Sequence, residues 1–123
     1  MIYSFVIDGR LPNLNDYIAA CRGNKKYGNI MKRDAQDTVL WQLGSQHRGL
    51  KIKRPVIIHT RWYELNNRRD PDNVCGYGHK VILDALCDLD VLEDDSRRYI
   101  YGFTDWFYTD HQNPRIEIDI EEL

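Results

Sequence analysis

Residues 68–95 read RRDPDNVCGYGHKVILDALCDLDVLEDD. Val81, Ile82, Ala85, Leu86 and Leu89 recur at the spacing of one apolar helix face, with Lys80, Asp84 and Asp88 opposite, so a helix is expected over residues 79–88. Upstream, Pro55 to Tyr63 (PVIIHTRWY) is rich in β-branched and aromatic residues and is expected as a strand. Downstream come two more β-rich runs, Arg98 to Tyr108 and Arg115 to Ile120, separated by polar residues 109–114 and expected as a hairpin. In the last run Ile116, Ile118 and Ile120 alternate with acids, the mark of a half-buried strand.

Further out, residues 2–7 form an opening strand that stops at Asp8-Gly9. Residues 10–29 carry Pro12, Asn13, Asn15, Gly23, Asn24 and Gly28, with Arg22, Lys25 and Lys26 set between Tyr17 and Tyr27, and are expected as a long basic loop. Met31, Ala35, Val39 and Leu43, joined by Leu40 and Trp41, predict a helix over 30–47. The expected fold is α+β, one domain over residues 1–123 in the order β-α-β-α-β-β, a mixed sheet packed against two helices.

The 123 residues, 42% hydrophobic and 29% charged, suit one core, and no apolar run has the length of a membrane span. The N-terminus lacks a basic stretch and a cleavage site, and three scattered cysteines suit free thiols, so a cytoplasmic protein without disulfides or membrane contact is expected. The net charge of −2 hides a strong asymmetry. Residues 22–69 hold twelve Lys/Arg against three acids, a balance of +9, while residues 70–123 hold four against fourteen, a balance of −10. The first part suits phosphates and the second suits cations.

Asp70, Asp72 and, some twenty residues on, Asp94 and Asp95 are the densest carboxylates. Phosphodiester hydrolysis needs a Lewis acid, and Mg²⁺ takes hard carboxylate oxygens while keeping several waters. In an extended segment, residues two apart point the same way, so Asp70 and Asp72 can face one ion. A purely structural account also exists, with Asp70-Pro71 as the start of a helix and Asp94-Asp95-Ser96 as a polar turn. Lys80 has the same duality: it can pair with Asp84 at i,i+4, although Lys before Asp is the weaker orientation, or it can face a phosphate.

The strings Arg69-Asp70-Pro71-Asp72-Asn73-Val74, Lys80-Val81-Ile82-Leu83-Asp84-Ala85-Leu86 and Val91-Leu92-Glu93-Asp94-Asp95, in this order, resemble the RusA family of Holliday-junction resolvases, as does Leu11-Pro12-Asn13-Leu14-Asn15-Asp16-Tyr17 near the N-terminus. The resemblance implies a RusA-like fold and a Mg²⁺-dependent crossover-junction endodeoxyribonuclease, with Mn²⁺ able to substitute and no organic cofactor. It implies that Asp70, Asp72 and Asp95 hold the metal, with Asp94 as the alternative third ligand, and that Lys80 is the catalytic lysine. It further implies a homodimer that cuts four-way DNA junctions by paired nicks in recombination and repair, its two-fold symmetry matching that of the junction. Arg22, Lys25, Lys26, Arg68 and Arg69 are the expected DNA-binding residues. One departure from the family pattern stands out: the stretch from Asn73 to Lys80 is about four residues longer; as helix this would add about 6 Å, whereas a loop or bent first turn, equally suited to Gly76 and Gly78, would let Lys80 return to the metal.

Other function classes remain open on the residues. A non-catalytic DNA-binding module would use the basic half alone. A protein-interaction domain would use Tyr99, Tyr101, Phe103, Trp106, Phe107 and Tyr108, which are expected to be mostly core and in part dimer interface. Cys75 and His79 have zinc-like spacing but lack nearby partners in sequence. A calcium-binding helix-loop-helix at Asp70 is excluded, since Cys75 stands where the loop needs Gly and no Glu closes it.

Overall fold

The alternation of Ile116, Ile118 and Ile120 puts three side chains on one face of the last strand, and all three are fully buried. In the computed structural model, which describes residues 1–123, this strand lies inside a four-stranded sheet. The elements are β1 (Ile2–Asp8), α1 (Leu14–Gly23), α2 (Lys25–Gly44), β2 (Val56–Glu64), α3 (Pro71–Asp88), β3 (Ile100–Thr109) and β4 (Arg115–Glu122). The sheet order is β1-β4-β2-β3, with β4 antiparallel to both neighbours and β2 parallel to β3. The chain is thus one α+β unit with a mixed sheet, and it has three helices rather than the two expected. No helix is long and apolar enough to cross a membrane.

One sheet face carries Phe5, Ile7, Ile58, Trp62, Ile116, Ile118 and Ile120 and is covered by Ala35, Val39 and Leu43 of α2 and Val74, Val81, Ile82, Ala85 and Leu86 of α3. The other face is open, with Trp106 and Tyr108 of β3 beside the charged side chains of β2 and β4. There Arg61 donates from Nε to Glu117 (3.0 Å) and from Nη1 to Asp119 (2.8 Å), and Arg115 also holds Glu117 (2.8 Å).

The expected loop over residues 10–29 is a correction. It folds into α1 and the first turn of α2, because the residues that suggest a loop act as helix caps. Asn13 accepts from the Asp16 amide (2.7 Å) while the Asp16 carboxylate accepts from the Asn13 amide, a reciprocal capping box. Asn24 ends α1 and caps α2 through the Lys26 amide (2.9 Å). Gly28 is buried where α2 crosses α1, and a Cβ there would run into the Cys21 thiol. Accordingly α2 starts five residues before the expected helix start at residue 30, and α3 starts eight residues before 79. Trp41 is not on the buried face of α2 but is 83% exposed.

The expected hairpin is also corrected. β3 and β4 do not pair, because β2 lies between them. The parallel β2–β3 pair needs a long crossover, which α3 supplies. Residues 110–114 then carry the chain past β2, two strand spacings or about 10 Å, within the reach of five extended residues. This leaves β3 at the sheet edge. Its aromatic residues are therefore not core: Tyr101, Phe103, Trp106, Phe107 and Tyr108 are all exposed.

α3 contains two glycines in different surroundings. A Cβ on Gly78 would lie 2.5 and 2.7 Å from atoms of the buried Trp62 ring, whereas one on Gly76 would make ordinary contact with Leu14 at 3.7 Å. Gly78→Ala should lower the unfolding free energy by about 1–3 kcal/mol through overpacking. Gly76→Ala should raise it by about 0.5–1 kcal/mol through helix propensity. Urea unfolding of the two variants beside wild type checks both signs.

Candidate functional site

α3 carries most of the chemistry-bearing residues, and its geometry divides them into groups. At its start Asp70 occupies the N-cap position with extended backbone (φ −72°, ψ 152°), followed by Pro71 in the first turn. The Asp70 carboxylate makes no capping hydrogen bond, and that of Asp72 accepts only from the Asn73 amide (3.1 Å). Both acids are exposed, and neither is in an ion pair.

Lys80 lies about 12 Å further along the helix axis. Its Nζ donates to Asp84 (3.0 Å), one turn later, and sits 3.8 Å from the Asp95 carboxylate. The hydrogen bond to Asp84, reinforced by that charge and by Asp95, raises the Lys80 pKa and keeps the ammonium protonated. The lysine thus heads an open groove of about 460 Å³, lined by Lys32, Gln36, Asp84, Asp88, Glu93, Asp94 and Asp95. Asp95 therefore belongs to the Lys80 end of α3. Asp70, Asp72 and Asp95 do not form a set with mutual oxygen distances within 4.8 Å in this chain.

One group of three metal-competent side chains does meet that limit: Cys75, His79 and Asp105. Cys75 and His79 lie one turn apart on α3, and Asp105 comes from β3, opposite Thr60 of β2. The Asp105 Oδ1 accepts from the Trp62 indole Nε1 (2.8 Å) and bonds the His79 Nε2 (2.8 Å), while the His79 ring stacks on Phe103 (4.5 Å between centroids). Burial pushes the Asp105 carboxyl up, but the His79 and Trp62 hydrogen bonds together outweigh it and hold its pKa below the usual range. Burial, followed by the charges of Asp105 and Asp72, pushes the Cys75 thiol up. Cys75 and His79 have a visible spacing in the sequence; Asp105 has no such signal, because only strand pairing brings it beneath α3.

The basic residues behave unequally. Arg22, Lys25, Lys26 and Arg68 are exposed, and none is in an ion pair. Arg69 is engaged internally: Nη1 donates to the Leu11 carbonyl (3.0 Å) and lies 3.6 Å from Glu64, and Nη2 reaches Asp16 (3.4 Å). Arg10 also bonds Glu64 (3.0 Å), so two guanidinium groups flank this buried carboxylate and fasten the start of α1 to the entry of α3. Tyr17 stacks on Tyr77 (4.9 Å), leaving Tyr27 as the exposed aromatic beside Lys25 and Lys26.

No family model matches the chain, and no curated protein matches it.

Asp105→Ala would leave the indole N–H of Trp62, a residue only 1% exposed, without its partner. It should cost about 1–3 kcal/mol, and Asp105→Asn, which keeps an acceptor, should cost less. Because the folded pKa of Asp105 is depressed, its ionic contribution is full above the unfolded value of about 3.9 and is lost as pH falls through the lower folded value. Denaturant titrations between pH 7 and pH 2 should show a smaller loss of stability in Asp105→Asn than in wild type.

Proposed function

We propose that this chain is a RusA-like, Mg²⁺-dependent endonuclease that hydrolyses DNA phosphodiesters at four-way junctions as a homodimer. The observation that carries the reading is the pair Asp70 and Asp72, two exposed carboxylates at the start of α3 with no cation to neutralise them. Two formal negative charges outweigh the roughly +0.5 charge of a helix N-terminus, so the local field favours a cation. The ordered resemblance of residues 69–74, 80–86 and 91–95 to RusA proteins supports the same reading.

The donor set suits Mg²⁺: one or two carboxylates with waters and substrate phosphate oxygens is its common mode of binding. When bound, the ion would neutralise charge on the phosphate and lower the pKa of a water. Asp70 and Asp72 would hold it. Lys80, protonated and tethered to Asp84 and Asp95, would supply positive charge to the phosphate or leaving oxygen. Lys80 is fixed on the same helix as Asp72, so for Asp95, or Asp94 beside it, to join as a third ligand, the turn after α3 that carries them would have to shift toward the helix start. Arg22, Lys25, Lys26 and Arg68 would contact phosphates, and Arg69 would act by fixing the loop ahead of Asp70 rather than by gripping DNA.

A second reading, a non-catalytic DNA-binding module, is favoured by the exposed cations together with the separation of Asp95 from Asp70 and Asp72. Purified protein with a synthetic four-way junction separates the two. The nuclease nicks it with Mg²⁺ or Mn²⁺ and stops with EDTA; Asp72→Asn binds without cutting, and Lys80→Ala and Asp95→Asn cut at least about a hundredfold more slowly. A module of the second kind cuts no branched substrate, binds equally with and without Mg²⁺, and weakens with salt. Wild-type cutting by Asp72→Asn would sink the assignment.

A further inference from the structure

The acidic groove around Lys80 and the aromatic edge strand β3 are both exposed features, but the cluster over Trp62 has the chemistry of a built site. Its three side chains come from two elements, and two of them, His79 and Asp105, are positioned by ring stacking and hydrogen bonds. Cys75 and His79 share one face of α3, four residues apart, the spacing at which helical side chains can reach one ion. The His79 ring is positioned by its stack on Phe103, and its Nε2 now lies against Asp105, the neighbouring donor of the same site. Asp105 is oriented by the Trp62 indole, and both of its hydrogen bonds fall on Oδ1, leaving Oδ2 without a protein partner. The Trp62 indole is thus an outer partner of the kind that sets the orientation of a metal-binding carboxylate.

We propose that Cys75, His79 and Asp105 form a binding site for a zinc-class transition metal ion. A thiolate, an imidazole and a carboxylate within 4.8 Å of one another match Zn²⁺ or Co²⁺, and the sulfur donor selects against Mg²⁺ and Ca²⁺. All three residues are half-buried, which leaves solvent access for the ion and for a water in the fourth position. On binding, the Cys75 thiol releases its proton to solvent as the sulfur–metal bond forms. A proton on His79 Nε2 moves to Nδ1 through solvent exchange as Nε2 turns from Asp105 to the ion. No electron transfer is involved. The ion would clamp α3 to β3, an edge strand whose one sheet neighbour is β2. This site differs in donors and place from the proposed Mg²⁺ pair Asp70 and Asp72, and it holds whether or not the chain cuts DNA.

The test is a Co²⁺ titration of the full-length, metal-free chain in excess Mg²⁺, followed by absorption and thermal unfolding. One Co²⁺ per chain is expected at micromolar affinity or tighter, with thiolate-to-metal charge transfer, the strong visible bands of a tetrahedral ion and a raised Tm. Zn²⁺ should displace the Co²⁺. Cys75→Ser should abolish the charge-transfer band, and His79→Gln and Asp105→Asn should weaken binding by more than about tenfold, each with an unchanged far-ultraviolet circular dichroism spectrum. Cys21→Ser and Cys87→Ser should bind as wild type. The proposal is overturned if Mg²⁺ competes the ion away, if no charge-transfer band appears, or if Cys87→Ser loses the band while Cys75→Ser keeps it. The last result would place the metal in the acidic groove beside Lys80, which Cys87 also lines.

Discussion

Burying the Trp62 indole in the central strand makes two demands on everything around it. The ring is 1% exposed, so the helix above it must come close without a side chain, and Gly78 of α3 provides that approach. The indole N–H must also find an acceptor, and Asp105 on the neighbouring parallel strand accepts it at 2.8 Å. These demands set the height of α3 over the sheet and the register in which Asp105 lies beneath it. Cys75 and His79 flank the glycine approach, which is why a thiol, an imidazole and a carboxylate converge there.

The same helix then distributes the acids. Asp72 and Lys80 are eight residues apart on α3, about 12 Å along its axis, so side chains grouped at these two positions do not lie around one point. Asp70 and Asp72 stand at one end. Lys80, Asp84 and Asp95 stand together beyond the middle, tied by ion pairs of 3.0 and 3.8 Å. The stretch between Asn73 and Lys80 is helical throughout, so the axial path between the two groups is set by the helix rise.

The first, basic part of the chain is organised by one buried carboxylate. Glu64 is 7% exposed and would be costly there unpaired, but Arg10 and Arg69 flank it and Arg69 continues to Leu11 and Asp16. The knot holds α1 against the entry to α3 and removes Arg69 from the set of free cations. Arg22, Lys25 and Lys26 stay exposed around the junction of α1 and α2, on helix ends rather than on a loop.

Local pattern by itself determined the strands β1, β2 and β4 and the apolar faces of α2 and α3, because period-2 and period-3.6 alternation is written directly in residue order. It offered Lys80 with Asp84 as one of two alternatives and showed the spacing of Cys75 and His79, but that the latter two share one helix came only with the structure, since the expected helix began at residue 79. It did not determine α1, since Asn13, Asn24 and Gly28 are equally loop formers and cap or crossing residues, and only packing of Gly28 against Cys21 distinguishes the two. It misplaced β3, since whether a short polar connection makes a hairpin or steps past a third strand depends on which strand occupies the centre of the sheet. That choice, made by the burial of Trp62 and its neighbours on β2, is tertiary. It exposed the β3 aromatics, put Asp105 under His79 and set Asp95 beside Lys80, because contacts between residues far apart in the chain exist only once the sheet has ordered its strands.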